Sequence, residues 1–188
     1  MNMIKMILLA GVVALPLSVS ARAADIAPDV PSEVETSNYG LYLRGDVGAS
    51  FLKWSGGSDD TAFVGGGGIG YQYSDMFRMD LTADYAGKYS IAPGANISTT
   101  TVLGNAYLDF ANDIMFTPYV GAGVGYGWVN GNGGAADKDG LALGLAAGVG
   151  VDLTSNLTID VGYRFRDIMV SGADTKEHQA TVGMRFKF

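Results

Sequence analysis

Residues 177–188 read EHQATVGMRFKF, and this stretch decides the fold. In an extended chain one face would carry His178, Ala180, Val182, Met184, Phe186 and Phe188, and the opposite face would carry Glu177, Gln179, Thr181, Gly183, Arg185 and Lys187. A period of two is that of a β-strand, in which successive side chains point to opposite faces. The stretch therefore predicts a strand with one apolar face and one polar face.

The same alternation recurs upstream. Residues 157–165 and 77–85 each put apolar side chains at every second position, and the runs 116–129 and 140–153 do so with glycine in between. The 28 glycines among 188 residues are about twice the usual share. Because each glycine in a helix interior costs about 1 kcal/mol, even the uncharged run 114–136 is predicted to form a strand, not a transmembrane helix.

Counted in this way, the sequence predicts eight strands, at about 40–51, 62–73, 77–87, 97–110, 116–129, 140–153, 157–168 and 176–188. The connections after strands two, four and six are short. Those after the odd-numbered strands are longer, at 52–61, 88–96, 130–139 and 169–175. Short turns at one end and longer loops at the other are typical of outer-membrane barrels. We therefore predict an all-β fold, an eight-stranded antiparallel up-and-down transmembrane β-barrel over residues 39–188, with its longer loops outside the cell.

Charged residues fall on one face of the predicted strands, and the opposite face is almost uncharged. The polar face carries Arg44, Asp46, Arg78, Asp80, Asp84, Asp109, Asp152, Asp160, Arg164, Arg166, Glu177, Arg185 and Lys187. A soluble barrel would carry more charge on its exterior, so this face is predicted to line the interior. Aromatic residues near both ends of the strands indicate the two girdles at the membrane surfaces.

The six basic and seven acidic inward residues nearly balance, which favours a paired polar core over a ring of one charge sign. Eight strands enclose an interior just wide enough for side chains. We expect Tyr42, Tyr107, Tyr119 and the arginines to fill the space beside the inward glycines. A hairpin around residues 171 and 172 would set Arg166 opposite Glu177, and the two are expected to pair.

The first 38 residues do not follow the barrel pattern. Residues 1–23 combine Lys5, an apolar run and Ala21-Arg22-Ala23, which predicts a secretory signal peptide cut after Ala23. Residues 24–38 are acidic and lack aromatic residues, which is typical of a solvated tail, here on the periplasmic side.

Several kinds of chemistry are excluded or disfavoured by composition. The chain has no cysteine and one histidine, so thiolate chemistry is excluded and histidine-based chemistry has little to work with. A sequence pI near 4.5 argues against nucleic-acid binding. Residues 65–70 satisfy the G-x-G-x-x-G pattern, but no helix follows to receive a phosphate. Asp80 and Asp84 are expected to pair with arginines and not with a metal, and we expect no cofactor.

The strand pattern resembles the small outer-membrane barrels of the OmpA and OmpX type. Residues 42–48 and 104–109 also resemble the porin-family surface antigens of Gram-negative bacteria. The resemblance implies that Phe186 and Phe188 belong to the signal read by the outer-membrane assembly machinery. It further implies contact with outer-membrane lipid and lipopolysaccharide, and a location in the outer membrane. The oligomeric state is left open.

Three functions are compatible with this pattern. The resemblance implies a non-enzymatic structural or surface protein that serves envelope integrity, surface antigenicity or cell contact. A narrow porin for small solutes is the alternative. A lipid-modifying enzyme is less favoured, because the one candidate base, His178, falls on the lipid-facing side of its strand.

Overall fold

The computed structural model describes residues 39–54, 60–112, 114–133, 137–170 and 173–188. The predicted signal peptide and tail lie outside these residues. The eight strands are β1 (Gly40–Trp54), β2 (Asp60–Gln72), β3 (Phe77–Ala92), β4 (Ala95–Asp109), β5 (Phe116–Asn132), β6 (Lys138–Asp152), β7 (Leu157–Val170) and β8 (Ala173–Lys187). Each strand pairs antiparallel with the next, and β1 pairs with β8 to close the barrel. This confirms the predicted fold class. In the described part of the chain, no helix has the length and hydropathy needed to cross a membrane.

The barrel wall is apolar outside and polar inside. In β1, Leu43 is 48% and Val47 is 54% exposed, whereas Arg44 and Asp46 between them are only 7% and 5% exposed. A water-soluble barrel would show the opposite order, because burying a charge without a partner is costly. The exposed apolar wall is therefore the surface that contacts lipid.

Aromatic side chains cluster near both ends of this apolar wall. At the end of the short turns, Tyr71 and Tyr73 stack edge to face at 4.7 Å, and Phe186 and Phe188 do so at 5.5 Å. Towards the other end lies a ring of aromatics that we call the outer belt, comprising the exposed Phe51, Phe63, Tyr85 and Trp128 and the half-buried Tyr126. The two groups are arranged as the aromatic girdles of a membrane barrel.

The two ends of the barrel can be assigned to the two sides of the membrane. Because the number of strands is even, the start of β1 and the end of β8 lie at the same end as the connections 73–76, 110–115 and 153–156. An exported chain reaches the outer membrane from the periplasm, and outer-membrane barrels keep their short turns on that side. We therefore call this end the periplasmic mouth and the opposite end the outer mouth.

Beyond the outer belt the polarity of the wall is inverted. Inward-facing Leu52, Ile97, Val129, Ile168 and Val170 are all at most 6% exposed. The outward positions there carry polar groups such as Lys53, Asn130, Asp139 and Lys176, all of which are exposed. The strands thus leave the lipid and continue as a small barrel with a core of the water-soluble kind.

This continuation corrects the predicted loops. The segments 52–61, 88–96, 130–139 and 169–175 were predicted as loops, but their ends belong to strands. Hairpin β3–β4 is the extreme case, with only Pro93 and Gly94 between the strands. Gly94 has a φ of 79°, a left-handed conformation that glycine adopts without steric cost. At these positions the apolar side chains occupy the inward face and not the outward one. The outward apolar alternation used to predict the strands therefore stops before the strands end.

A β-bulge marks the same level on β3. Ala86 pairs with Thr99 and Tyr89 with Ile97, so Gly87 and Lys88 together oppose the single residue Ser98. Lys88 has a φ of 60° and an exposed side chain. The extra residue keeps the inward–outward alternation in step on both sides of the bulge, since Ala86 and Tyr89 are both buried.

Candidate functional site

The candidate site is the interior of the barrel. Strand alternation directs eleven of the thirteen predicted charges to the axis, where none is more than 7% exposed: Arg44, Asp46, Arg78, Asp80, Asp84, Asp109, Asp160, Arg164, Arg166, Glu177 and Arg185. The remaining two are less enclosed, since Asp152 is exposed and Lys187 is half-buried at the periplasmic mouth. Asp152 accepts a 2.5 Å hydrogen bond from the Thr158 hydroxyl.

Arg44 is the centre of the largest group of contacts. Its Nε and Nη2 donate to the two carboxylate oxygens of Asp46, both at 2.9 Å, and its Nη1 donates to Asp80 at 2.8 Å. The same Nη1 donates to the Tyr107 hydroxyl at 3.0 Å. Asp80 also accepts hydrogen bonds from Tyr42 at 3.0 Å and from Asn105 at 2.8 Å. One guanidinium thus joins strands β1, β3 and β4.

The group continues across the lumen to β7. Arg164 Nη2 lies 2.6 Å from Asp46, and its Nη1 lies 3.3 Å from Asp84. Arg166 Nη2 lies 2.6 Å from the other oxygen of Asp84, while its Nη1 donates to the Thr101 hydroxyl at 2.6 Å. Three arginines and three aspartates therefore form one continuous ionic network, which we call the Arg44 network.

Two further arginines lie towards the periplasmic mouth. Arg78 Nε is 2.9 Å from Asp109, and its guanidinium carbon lies 4.0 Å from the ring centre of Tyr107 and 4.9 Å from that of Tyr119. Arg185 Nε is 2.6 Å from Asp160. The Arg78 side chain is fully buried between two aromatic rings, a favourable arrangement for a desolvated cation. These contacts fill the lumen cross-section as predicted for Tyr107 and Tyr119.

The predicted strand register between Arg166 and Glu177 is confirmed, but the predicted ion pair between them is wrong. The two residues lie directly opposite each other on β7 and β8. Arg166, however, turns to Asp84, while Glu177 accepts hydrogen bonds from Thr99 at 2.6 Å and from Gln179 at 2.9 Å. Strand register fixes which Cα atoms are opposite, but a long guanidinium reaches across a narrow lumen to a carboxylate on another strand.

Inward glycines make room for these large side chains. A Cβ atom at Gly70 would overlap the ring of Tyr42, and one at Gly121 would overlap the ring of Tyr107. A Cβ at Gly66 would overlap the Asp84 carboxylate. The glycine-rich walls of β2 and β5 are therefore complementary to the bulky residues on the neighbouring strands, and Tyr42 fills the space as predicted.

A second block of side chains closes the lumen at the outer mouth. Its members share deep burial and apolar character: Leu52, Ala62, Val64, Ala86, Tyr89, Ile97, Leu103, Val129, Ala142, Ile168 and Val170. We call this set the outer plug. It was missed at the sequence level, where only the outward apolar face was followed. The available signal was the pair of apolar residues Ile168 and Val170, which continue the inward series that begins with Arg164 and Arg166.

Two cavities lie among these residues. A space of about 10 Å³, enough for about one water molecule, is lined by residues that include Asn105, Tyr107, Arg164 and Arg166. A wider vestibule of about 410 Å³ opens at the periplasmic mouth and is lined by residues that include Gln72, Asp109, Asp152 and Lys187. The vestibule ends against the buried Arg185–Asp160 and Arg78–Asp109 pairs.

His178 lies on the outside of the wall. Its Nδ1 contacts the Tyr163 hydroxyl, and its ring centre is 5.3 Å from that of Phe165. Tyr163 is 48% exposed. The histidine therefore faces the lipid side, close to the outer belt.

A family model of the outer membrane protein beta-barrel domain matches residues 8–188. The chain belongs to this family. It is 30% identical over 190 residues to an uncharacterized protein of Brucella abortus, with 67% of each chain covered. Outer membrane protein PagN of Salmonella typhimurium is 27% identical over 183 residues, which cover 71% of this chain and 77% of PagN.

A solved structure supports the same fold assignment. The crystal structure of Neisserial surface protein A superposes with a TM-score of 0.71 at 24% identity, covering 79% of this chain and 97% of that one. The family and its named members place this chain in the outer membrane of a Gram-negative bacterium, as a β-barrel surface protein. The porin alternative and the question of catalysis depend on the lumen and on His178.

Proposed function

We propose that this protein is a non-enzymatic outer-membrane surface barrel whose lumen is closed to solutes. The single observation that carries the proposal is that two chemically different blocks occupy the lumen in series. The Arg44 network crosses it in the middle, and the outer plug fills it from there towards the outer mouth.

The ionic block is expected to be rigid. Each guanidinium of the Arg44 network is held by at least two hydrogen-bonding partners on other residues, and the members are at most 7% exposed. Removing one partner of a buried ion pair strands the other charge at a cost of about 3–5 kcal/mol. Opening a water-filled path through the network would require several such pairs to separate together.

The apolar block opposes conduction by a different mechanism. Leu52, Ile97 and Ile168 are at most 3% exposed, so water does not reach their side chains. An ion crossing this region would lose most of its hydration, and the buried Glu177 opposite Leu52 is already hydrogen-bonded to Thr99 and Gln179. Breaking the ionic network alone is therefore not expected to turn the barrel into a porin.

The surroundings of His178 support a non-enzymatic role. A hydrolase needs a nucleophile and a base within hydrogen-bond reach of each other. The Nδ1 of His178 contacts a phenol, Tyr163, and the neighbouring Glu177 points to the opposite side of the wall. Within the described residues, this histidine thus has neither a serine nor a carboxylate partner of the kind that catalytic triads use.

Two assays with the refolded protein test the proposal. In proteoliposome swelling with small sugars, we expect a rate equal to that of empty liposomes; swelling that rises with the amount of protein would favour the porin alternative. Incubation with lipid A followed by mass spectrometry is expected to leave the lipid mass unchanged. A loss or gain of one acyl chain would overturn the non-enzymatic role.

A further inference from the structure

Most basic residues of the described barrel are sorted by type, and the exceptions are the half-buried Lys138 and Lys187. All five arginines, Arg44, Arg78, Arg164, Arg166 and Arg185, lie inside the lumen and are at most 7% exposed. Three lysines, Lys53, Lys88 and Lys176, are instead exposed beyond the outer belt. Arginine suits buried bidentate pairing with carboxylates, whereas lysine is a compact, hydrated point charge suited to a wet surface. The outer lysines thus need an explanation separate from the lumen.

Two of these lysines lie side by side. Lys53 on β1 is directly opposite Lys176 on β8, and both side chains point away from the barrel. Like charges directly opposite each other on antiparallel strands are destabilising. On the β7 side, Asp167 lies directly opposite Lys176 in the strand register. None of the ion pairs among the described residues, however, involves either lysine. The arrangement leaves two neighbouring ammonium groups available to an anion.

The next outward pair towards the membrane is Phe51 and His178, which are also directly opposite each other. Phe51 is a member of the outer belt and is 45% exposed. The Nδ1 of His178 contacts Tyr163, which leaves Nε2 as the ring nitrogen available to a ligand. Going outward along β1 and β8, the wall therefore changes from aromatic to cationic within one step of the ladder.

We propose that Lys53, Lys176 and His178 form a binding site for a phosphate group of an outer-leaflet lipid. A phosphate monoester presents up to three acceptor oxygens, and lysine binds it as a point charge. The acyl chains of the same molecule would lie against Phe51 and the apolar wall below it. The site thus places cationic groups beside an apolar surface, and a phosphorylated lipid carries the complementary phosphate and acyl chains.

The direction of the site favours a lipid over a soluble polyanion such as a sulfated polysaccharide. The three side chains face sideways from the wall, with His178 at the level of the outer belt and the two lysines just beyond it, where lipid headgroups lie. A polyanion arriving from outside would instead meet the connecting segments at the outer mouth. The proposal goes beyond the closed lumen, since neither block inside the barrel needs a lipid phosphate to form.

The test is native mass spectrometry of the folded barrel in a neutral detergent, with lipid A as the probe. We expect lipid A adducts on the wild-type protein, and we expect Lys53→Gln/Lys176→Gln to lower their apparent affinity about 25-fold, since each of the two lysines near an anionic surface contributes roughly a factor of five. The control Lys88→Gln/Lys138→Gln removes two positive charges elsewhere on the outer rim, one from an exposed and one from a half-buried lysine, and is expected to keep wild-type affinity. The conservative variant Lys53→Arg/Lys176→Arg is expected to keep most of it.

The outcomes separate the possible ligands. Dephosphorylated lipid A is expected to bind at the level of the Lys53→Gln/Lys176→Gln variant, and inorganic phosphate is expected not to displace lipid A. Equal binding of both lipids, or equal losses in both glutamine variants, would overturn the site. If inorganic phosphate displaces lipid A, the site binds a free phosphate and not a lipid. If Lys53→Gln/Lys176→Gln lowers the binding of heparin, used as a second probe, but not that of lipid A, the ligand is a polysaccharide. Heat-modifiable gel mobility reports that each variant is folded.

Discussion

Arg44 and Asp80 lie on strands that are not neighbours, yet Nη1 of Arg44 is 2.8 Å from Oδ2 of Asp80. The strand between them, β2, turns Gly66, Gly68 and Gly70 towards the lumen. With no side chains in the way, the ion pair spans β2 and ties β1 directly to β3.

The first prediction concerns that ion pair. We expect Arg44→Gln to lower the free energy of unfolding by about 3–5 kcal/mol, because it leaves the buried Asp80 without its cationic partner. Asp80→Asn is expected to cost less, because Arg44 keeps its two hydrogen bonds to Asp46. The double variant is expected to lose much less than the sum of the two. Urea unfolding in detergent, followed by gel mobility, measures the cycle. A coupling energy near zero would mean that the two charges do not interact in the folded protein.

The second prediction compares two glycines. A methyl group at Gly70 would overlap the Tyr42 ring, whereas one at Gly45 would meet nothing within 4 Å. We expect Gly70→Ala to cost about 1–3 kcal/mol of stability, as overpacking does, and Gly45→Ala to be neutral. Adding Tyr42→Ala to Gly70→Ala should recover part of this loss, because it removes the overlap with the ring and leaves the close approach to the Met79 carbonyl oxygen. If both alanine variants unfold at the wild-type urea concentration, the inward glycines are not there to accommodate side chains.

The third prediction follows from the corrected pairing of Arg166. A double-mutant cycle of Arg166→Gln with Asp84→Asn is expected to give a larger coupling energy than one of Arg166→Gln with Glu177→Gln, because the carboxylate of Asp84 lies 2.6 Å from Arg166. Both cycles share the same arginine variant, so effects on overall charge largely cancel. A larger coupling to Glu177 would restore the pair predicted from strand register.

The fourth prediction concerns assembly. Phe188 is 69% exposed, and its backbone N donates a 3.1 Å hydrogen bond to the carbonyl of Leu41. If it belongs to the signal for the assembly machinery, its deletion should lower the yield of folded barrel in cells far more than the stability in detergent. Phe63→Ala is a matched control, since Phe63 is 65% exposed in the outer belt. Equal losses in cells and in detergent would mean that Phe188 contributes packing alone.

The sequence was sufficient for the barrel and for most of its inward charges because both depend on local alternation. Arg44 and Asp46 are two residues apart on one strand, so the same period that makes the strand also puts both inside. The ends of the strands were not predicted. Leu52 and Ile168 are apolar residues at inward positions, and alternation alone does not say which face is wet.

Partners across the lumen were also beyond the reach of the sequence. The contact between Arg166 and Asp84 joins β7 to β3, and those strands are not hydrogen-bonded to each other. Which carboxylate a long arginine reaches depends on the barrel's width and on the glycines that line it. Neither quantity is encoded in the spacing of residues along one strand.

The closed lumen is tested most directly by recording current across a planar bilayer as purified, folded protein inserts from a potassium chloride solution. We expect at most small and infrequent steps for the wild type, and the same for Arg44→Gln, because the outer plug still blocks the path. Large, uniform steps at each wild-type insertion would contradict the closed lumen. They would show that neither the Arg44 network nor the outer plug closes the barrel in a membrane.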